Sequence, residues 1–223
     1  MYFRWLRICL AFLSLAQLAS AGFSQSNTIP KDANEASVQT AAMADLEAFL
    51  GKIPEGREIE YGFRNREEFQ RAKLGTPVQV FTIHPESMRE GIDPGRGYMV
   101  PLNEWRVPVI VEGEYRTLLT VAIVNNALKT VELGGELLAK EMMKLGEKEP
   151  NGRKAMLRLY RLRCDFLVID RDGSGMEHGE FYPFRSARLT FEGLDCDGSH
   201  PCLKTDLYKR IQGKYAEEQS RDR

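Results

Sequence analysis

Between Trp105 and Leu145, three β-branched or aliphatic runs are separated by turn residues and followed by apolar residues at helical spacing. No other stretch restricts the fold as strongly. The runs WRVPVIV, YRTLLTVAIV and ALKTVEL are broken by Gly113, by the Asn125-Asn126 pair and by Gly134-Gly135, residue types that accept the conformations of tight turns. After Gly135 the apolar spacing lengthens, with Leu138, Met142 and Leu145 falling on one helical face. The expected product is an antiparallel β-meander with a helix packed on it. In the middle run, Tyr115, Thr117, Leu119, Val121 and Ile123 share one face, while Leu118, Thr120, Ala122 and Val124 share the other. Both sets are mainly apolar, so cover is expected on both sides. Pro108 cannot donate a ladder hydrogen bond, which predicts a sheet edge where a partner strand could add.

The flanking segments complete an α+β class: an antiparallel sheet with packed helices, preceded by an N-terminal helical segment. Val38, Ala42, Leu46, Phe49 and Ile53 predict a helix that stops before Pro54, and Asn65 to Leu74 a second one with Asn65 as its cap. PVQVFTI (77–83) reads as a strand ended by His84-Pro85, with His84 a turn residue, since no nucleophile is marked near it. Glu86 to Tyr98 reads as a loop and a candidate binding edge. Beyond a linker turn at 148–154, a long strand is expected from Met156 to Ile169, with Cys164 pointing inward. Phe181 to Phe184 would return antiparallel, Leu189 to Phe191 would form a short strand, and Leu203, Leu207, Ile211 and Tyr215 mark an amphipathic helix.

Residues 1–21 have the form of a cleavable export signal: Arg4 and Arg7, an apolar run from Ile8 to Leu18, and small residues at Ala19 and Ala21. A flexible lead-in is expected over 22–35, one α+β domain over 36–216 and a disordered tail over 217–223. The signal holds two of the 31 basic residues and no acid, so removing it leaves 29 basic against 32 acidic residues, a net charge of −3. That balance gives no electrostatic bias toward nucleic acid. No later segment has the apolar length of a transmembrane helix. The expected destination is the periplasm or the medium.

Local chemistry concentrates after the long strand. Asp170, Asp172, Ser174 and Gly175 resemble positions one, three, five and six of an EF-hand calcium loop, where alternate oxygens and a glycine bend converge on a hard cation. The second half departs from that pattern, with Glu177 at position eight and Phe181 at position twelve; Glu180 lies one place early. Two readings follow: a calcium loop of non-EF type using Asp170, Asp172, Ser174, Glu177 and Glu180, and a polar hairpin tip built from ordinary Asp-Gly and Ser-Gly turn pairs. A similar piece returns at Asp195 to Ser199, flanked by Cys196 and Cys202. An oxidising compartment favours a disulfide between them, with Cys164 left as a buried thiol. The competing reading joins Cys164, Cys196, Cys202 and His200 around zinc.

Among catalytic signatures, neither a nucleophile elbow nor a phosphate loop is present. The reading that follows is a non-catalytic exported binding or accessory protein for a peptide or another envelope protein; the alternative is a calcium-stabilised hydrolase-like enzyme. N-terminal sequencing of the exported protein is expected to begin at Gly22, and a start at Met1 would refute the cleavage.

Overall fold

The computed structural model describes residues 33–93, 97–147, 150–196, 198 and 200–221. Among them lie five helices, α1 (Glu35–Gly51), α2 (Pro85–Glu90), α3 (Glu136–Gly146), α4 (Arg185–Thr190) and α5 (Lys204–Arg221). The strands are β1 (Lys73–Leu74), β2 (Val78–Ile83), β3 (Met99–Val111), β4 (Glu114–Val124), β5 (Ala127–Gly134), β6 (Arg153–Leu159), β7 (Cys164–Asp170) and β8 (Glu180–Pro183). They form one mixed sheet in the order β5-β4-β3-β2-β6-β7-β8, with β1 paired separately to β3. The expected signal, residues 1–21, and all but the end of the lead-in lie outside the described residues. The lead-in's last residue, Glu35, opens α1, where Asn34 and Ser37 exchange capping bonds of 2.9 and 3.0 Å.

The predicted meander forms from β3, β4 and β5, joined by two-residue turns at Glu112-Gly113 and Asn125-Asn126 with φ positive at all four residues. Such turns match the twist of paired strands. It does not describe the whole sheet, because β2 pairs antiparallel with β3 and parallel with β6. Parallel neighbours need a long crossover, and the meander followed by α3 supplies it. Pro108 is not at an edge. Its strand lies between β4 on one side and β1 and β2 on the other. Gly75 donates to the Pro108 carbonyl at 2.8 Å, so the proline nitrogen faces the break between β1 and β2, where no ladder bond is required.

Both faces are covered, as the two apolar sets of β4 predict. Val38, Ala42, Leu46 and Leu50 of α1 pack on Trp105, Val107, Leu119 and Val121. On the same face α5 places Leu207, Tyr208 and Ile211 against Leu157, Phe166 and Phe181. The opposite face receives Ala139, Met142 and Leu145 of α3 over Val80, Leu118, Met156 and Leu167. Each such aliphatic side chain contributes roughly 1.5 to 3 kcal/mol on burial. Within β4 strict alternation fails at one place. Val109 faces Thr117 and Ile110 faces Tyr115, which makes Arg116 an extra residue in β4 and turns Tyr115 to the α3 side.

That bulge organises the segment before β1. The expected helix over 65–74 is a 3-10 turn, Arg66–Arg71, capped by Asn65 and released into β1. Glu68 is 1% exposed and accepts from Arg116 at 3.0 Å and from the Arg64 amide at 2.8 Å. Gly62 takes φ 86 directly under the Arg116 carbonyl, a place where any Cβ would collide.

Other expectations are corrected in the second half. The long strand over 156–169 is a hairpin, β6 and β7, reversed through a 3-10 turn at Tyr160–Leu162 and Arg163 in the left-handed region. Residues 153 and 154 start β6 instead of belonging to a linker. α2 starts at Pro85, with His84 as its N-cap, and its residues 86–90 occupy the start of the expected 86–98 loop. Leu189 and Thr190 belong to α4, whose Thr190 hydroxyl bonds back to Ser186 at 2.9 Å. The expected tail continues α5 as far as Arg221, supported by the Lys214–Glu217 and Arg221–Glu218 pairs.

The Glu68–Arg116 pair gives a stability test. Arg116→Met leaves Glu68 buried without its cation and is expected to cost about 3 to 5 kcal/mol in urea denaturation. Adding Glu68→Leu should recover much of it; a loss near zero for the single variant would refute the burial.

Candidate functional site

The five residues expected to hold calcium lie along the β7–β8 turn. Asp170 is 2% exposed and accepts from the amides of Gly173 at 2.8 Å and Gly175 at 3.3 Å, with the Arg153 guanidinium 3.7 Å away. Asp172 accepts from the Ser174 amide at 3.0 Å, and hydrogen bonds from Ser174 hold its carboxyl below the usual range. Glu180 bonds the Tyr182 hydroxyl and pairs with Arg171, both at 2.8 Å. Glu177 leans back toward Gly175 and Gly97. Among the described residues no three His, Cys, Asp or Glu side chains are grouped to hold an ion. Asp170 and Asp172 accept amides of their own turn, and Asp170 lies beside Arg153 at the start of β6.

The cysteines divide as the compartment argument predicts. Cys196 and Cys202 form a disulfide with a Cα–Cα distance of 4.9 Å, so these sulfurs are not available as zinc thiolates. Cys164 is a free thiol, 1% exposed, pushed up to about 12 by burial and then by the neighbouring Asp165 charge. His84 accepts from the Glu86 amide at 3.3 Å and caps α2.

With Pro108 internal, the sheet edges are β5 and β8. Both are guarded. On β8 the outward Phe181 carbonyl receives the Cys202 amide at 2.8 Å, and Pro183 ends the strand. On β5 the Thr130 amide is taken by Asp45 of α1 at 3.2 Å, and a bulge interrupts the register between Thr130 and Glu132.

One large opening lies inside the sheet. β1 ends at Leu74, β2 begins at Val78, and the β2–β6 ladder starts only at Gln79 with Ala155. Between β1 and the first residues of β6 the sheet therefore lacks a strand. A cleft of 680 Å³ opens beside this notch, bounded by Thr76 to Gln79 and by Gly152 to Lys154, with Phe81, Trp105 and Met176 from the α1–α5 face and Met142, Met143 and Leu167 from the α3 face. Arg153 and Lys154 lie on its rim. The Tyr115 phenol, also in the wall, is raised above its ordinary pKa by burial and the Glu147 charge. Thioethers give such a wall an adaptable apolar surface. The sequence marks these residues only as core positions; the one local signal is the Gly75-Thr76-Pro77 break.

No family model, no curated protein and no solved structure matches this chain.

Two outcomes are expected here. Asp170→Ala should cost about 1 to 3 kcal/mol in the presence of EDTA, because its turn bonds need no ion; an unchanged melting temperature would contradict this. Cys164 should resist alkylation at neutral pH in the folded protein and react on unfolding. Since its folded pKa lies above the ordinary 9.0, stability is held below pH 9 and lost as pH rises toward 12. Cys164→Ala should flatten that alkaline fall in a pH series of denaturation curves.

Proposed function

We propose that the chain is an exported, non-catalytic binding protein that holds an extended apolar segment of another polypeptide in the notch between β1 and β6. One observation carries the reading. The first two residues of β6 have no strand neighbour on the β2 side, and the cleft beside them has Phe81 and Trp105 on one wall and Met142 and Met143 on the other, with Gln79, Asn151 and Lys154 among its polar groups. A peptide entering the gap gains main-chain hydrogen bonds and side-chain burial together. The notch is a concave opening that sets apolar side chains beside these polar ones, and ligand sites combine the two. Export is supported by the signal-like residues 1–21 and by the Cys196–Cys202 disulfide, which persists in oxidising compartments.

Trp105 lines the notch and is the one tryptophan outside the leader, so it reports occupancy. The apolar dye ANS is expected to brighten and to quench Trp105, and short apolar peptides should displace it. Met143 is half-buried in the wall. Met143→Lys should weaken peptide competition by about tenfold while leaving the melting temperature nearly unchanged. Titration curves identical for the two proteins, or no dye binding at all, would refute the site.

A further inference from the structure

A second cavity, of 540 Å³, opens on the other side of the β6–β7 hairpin, between its connector and the C-terminal half of α5. It is lined by Arg161, Leu162, Arg163, Thr190, Lys214 and Glu218. Leu162 is buried and pins the connector, so the flanking Arg161 and Arg163 both reach outward. The Arg161 guanidinium is held in place, donating to the Glu218 carbonyl at 3.4 Å and lying 5.5 Å over the Tyr215 ring. Lys214 pairs with Glu217 at 3.1 Å, and the Glu218 carboxylate is engaged by Arg221 at 2.6 Å. Arg163 has neither an ion pair nor a side-chain hydrogen bond among the described residues.

We infer that this cavity is an oxyanion site for a phosphate group. Three cationic residues, Arg161, Arg163 and Lys214, line one concave surface. The one carboxylate on its wall is turned to a cation outside it, and one guanidinium is left to satisfy. Guanidinium groups bind phosphate oxygens through paired, charge-assisted N–H···O bonds. The placement depends on the hairpin. A continuous strand over 156–169 would put Arg161 and Arg163 on a sheet face, whereas the reversal at Arg163 brings both to α5. This site shares no residue with the notch and does not depend on that reading.

Phosphate groups come from soluble compounds or from lipid headgroups, and two measurements separate them. Calorimetric titration with inorganic phosphate is expected to show saturable heat that weakens with added salt. Arg163→Gln should weaken it about tenfold, while Lys129→Gln, an exposed change on β5, should leave it intact. Sedimentation with phosphatidylcholine vesicles, with and without phosphatidylglycerol, reads the lipid source. Capture that needs both phosphatidylglycerol and Arg163 assigns the headgroup; phosphate heat without capture assigns a soluble ligand. No phosphate heat together with no vesicle capture, or binding that Arg163→Gln does not change, overturns the proposal.

Discussion

Among the described residues, strand β2, six residues long, is the only connection in the sheet between the meander of β3 to β5 and the hairpins of β6 to β8. It pairs in opposite senses on its two sides, and it is much shorter than the thirteen-residue β3 beside it. Both properties have consequences. Opposite pairing requires the meander and α3 to act as the crossover, which places α3 on one face, while α1 and α5 cover the other. Short length leaves the sheet incomplete beyond Val78, and β1 fills only part of the gap. The cleft is a product of strand length more than of any special side chain.

Charge is used in this protein mainly to close turns and bulges. Glu68 anchors the extra residue of β4, Asp170 draws together its own loop, and Asp45 occupies an edge amide. Each carboxylate accepts bonds that backbone or guanidinium groups would otherwise leave unmade, and a buried polar group without a partner is costly. The acids whose spacing resembles a metal loop in the sequence accept hydrogen bonds within their own turn in the fold. The same economy operates at the edges, where the disulfide loop and α1 cover exposed main chain.

How much of this was legible depends on whether the signal was local. The turns at Gly113 and Asn125-Asn126 were, because their residues tolerate positive φ and few others do. The Tyr160-to-Arg163 reversal was not, since it contains no glycine, proline or asparagine, and apolar alternation continues on both sides of it. Pro108 misled for a definite reason: a missing donor signals an unpaired side, and here that side faces a break inside the sheet. Of the cleft, only the Gly75-Thr76-Pro77 interruption left a trace. Phe81, Trp105 and Met142 satisfy the same pattern as any core residue.

By itself the sequence determined the α+β class, the three-stranded meander and the apolar faces of α1 and α3, and it favoured the pairing of Cys196 with Cys202 over a zinc site. These follow from spacing, turn chemistry and separation along the chain. Only the tertiary structure decided that β6 joins β2 in parallel, that Glu68 meets Arg116, and that Arg161 and Arg163 gather beside Lys214. The reason is physical: periodicity states which side of a strand or helix is apolar, whereas the neighbour chosen for that side depends on how distant segments compete to bury it.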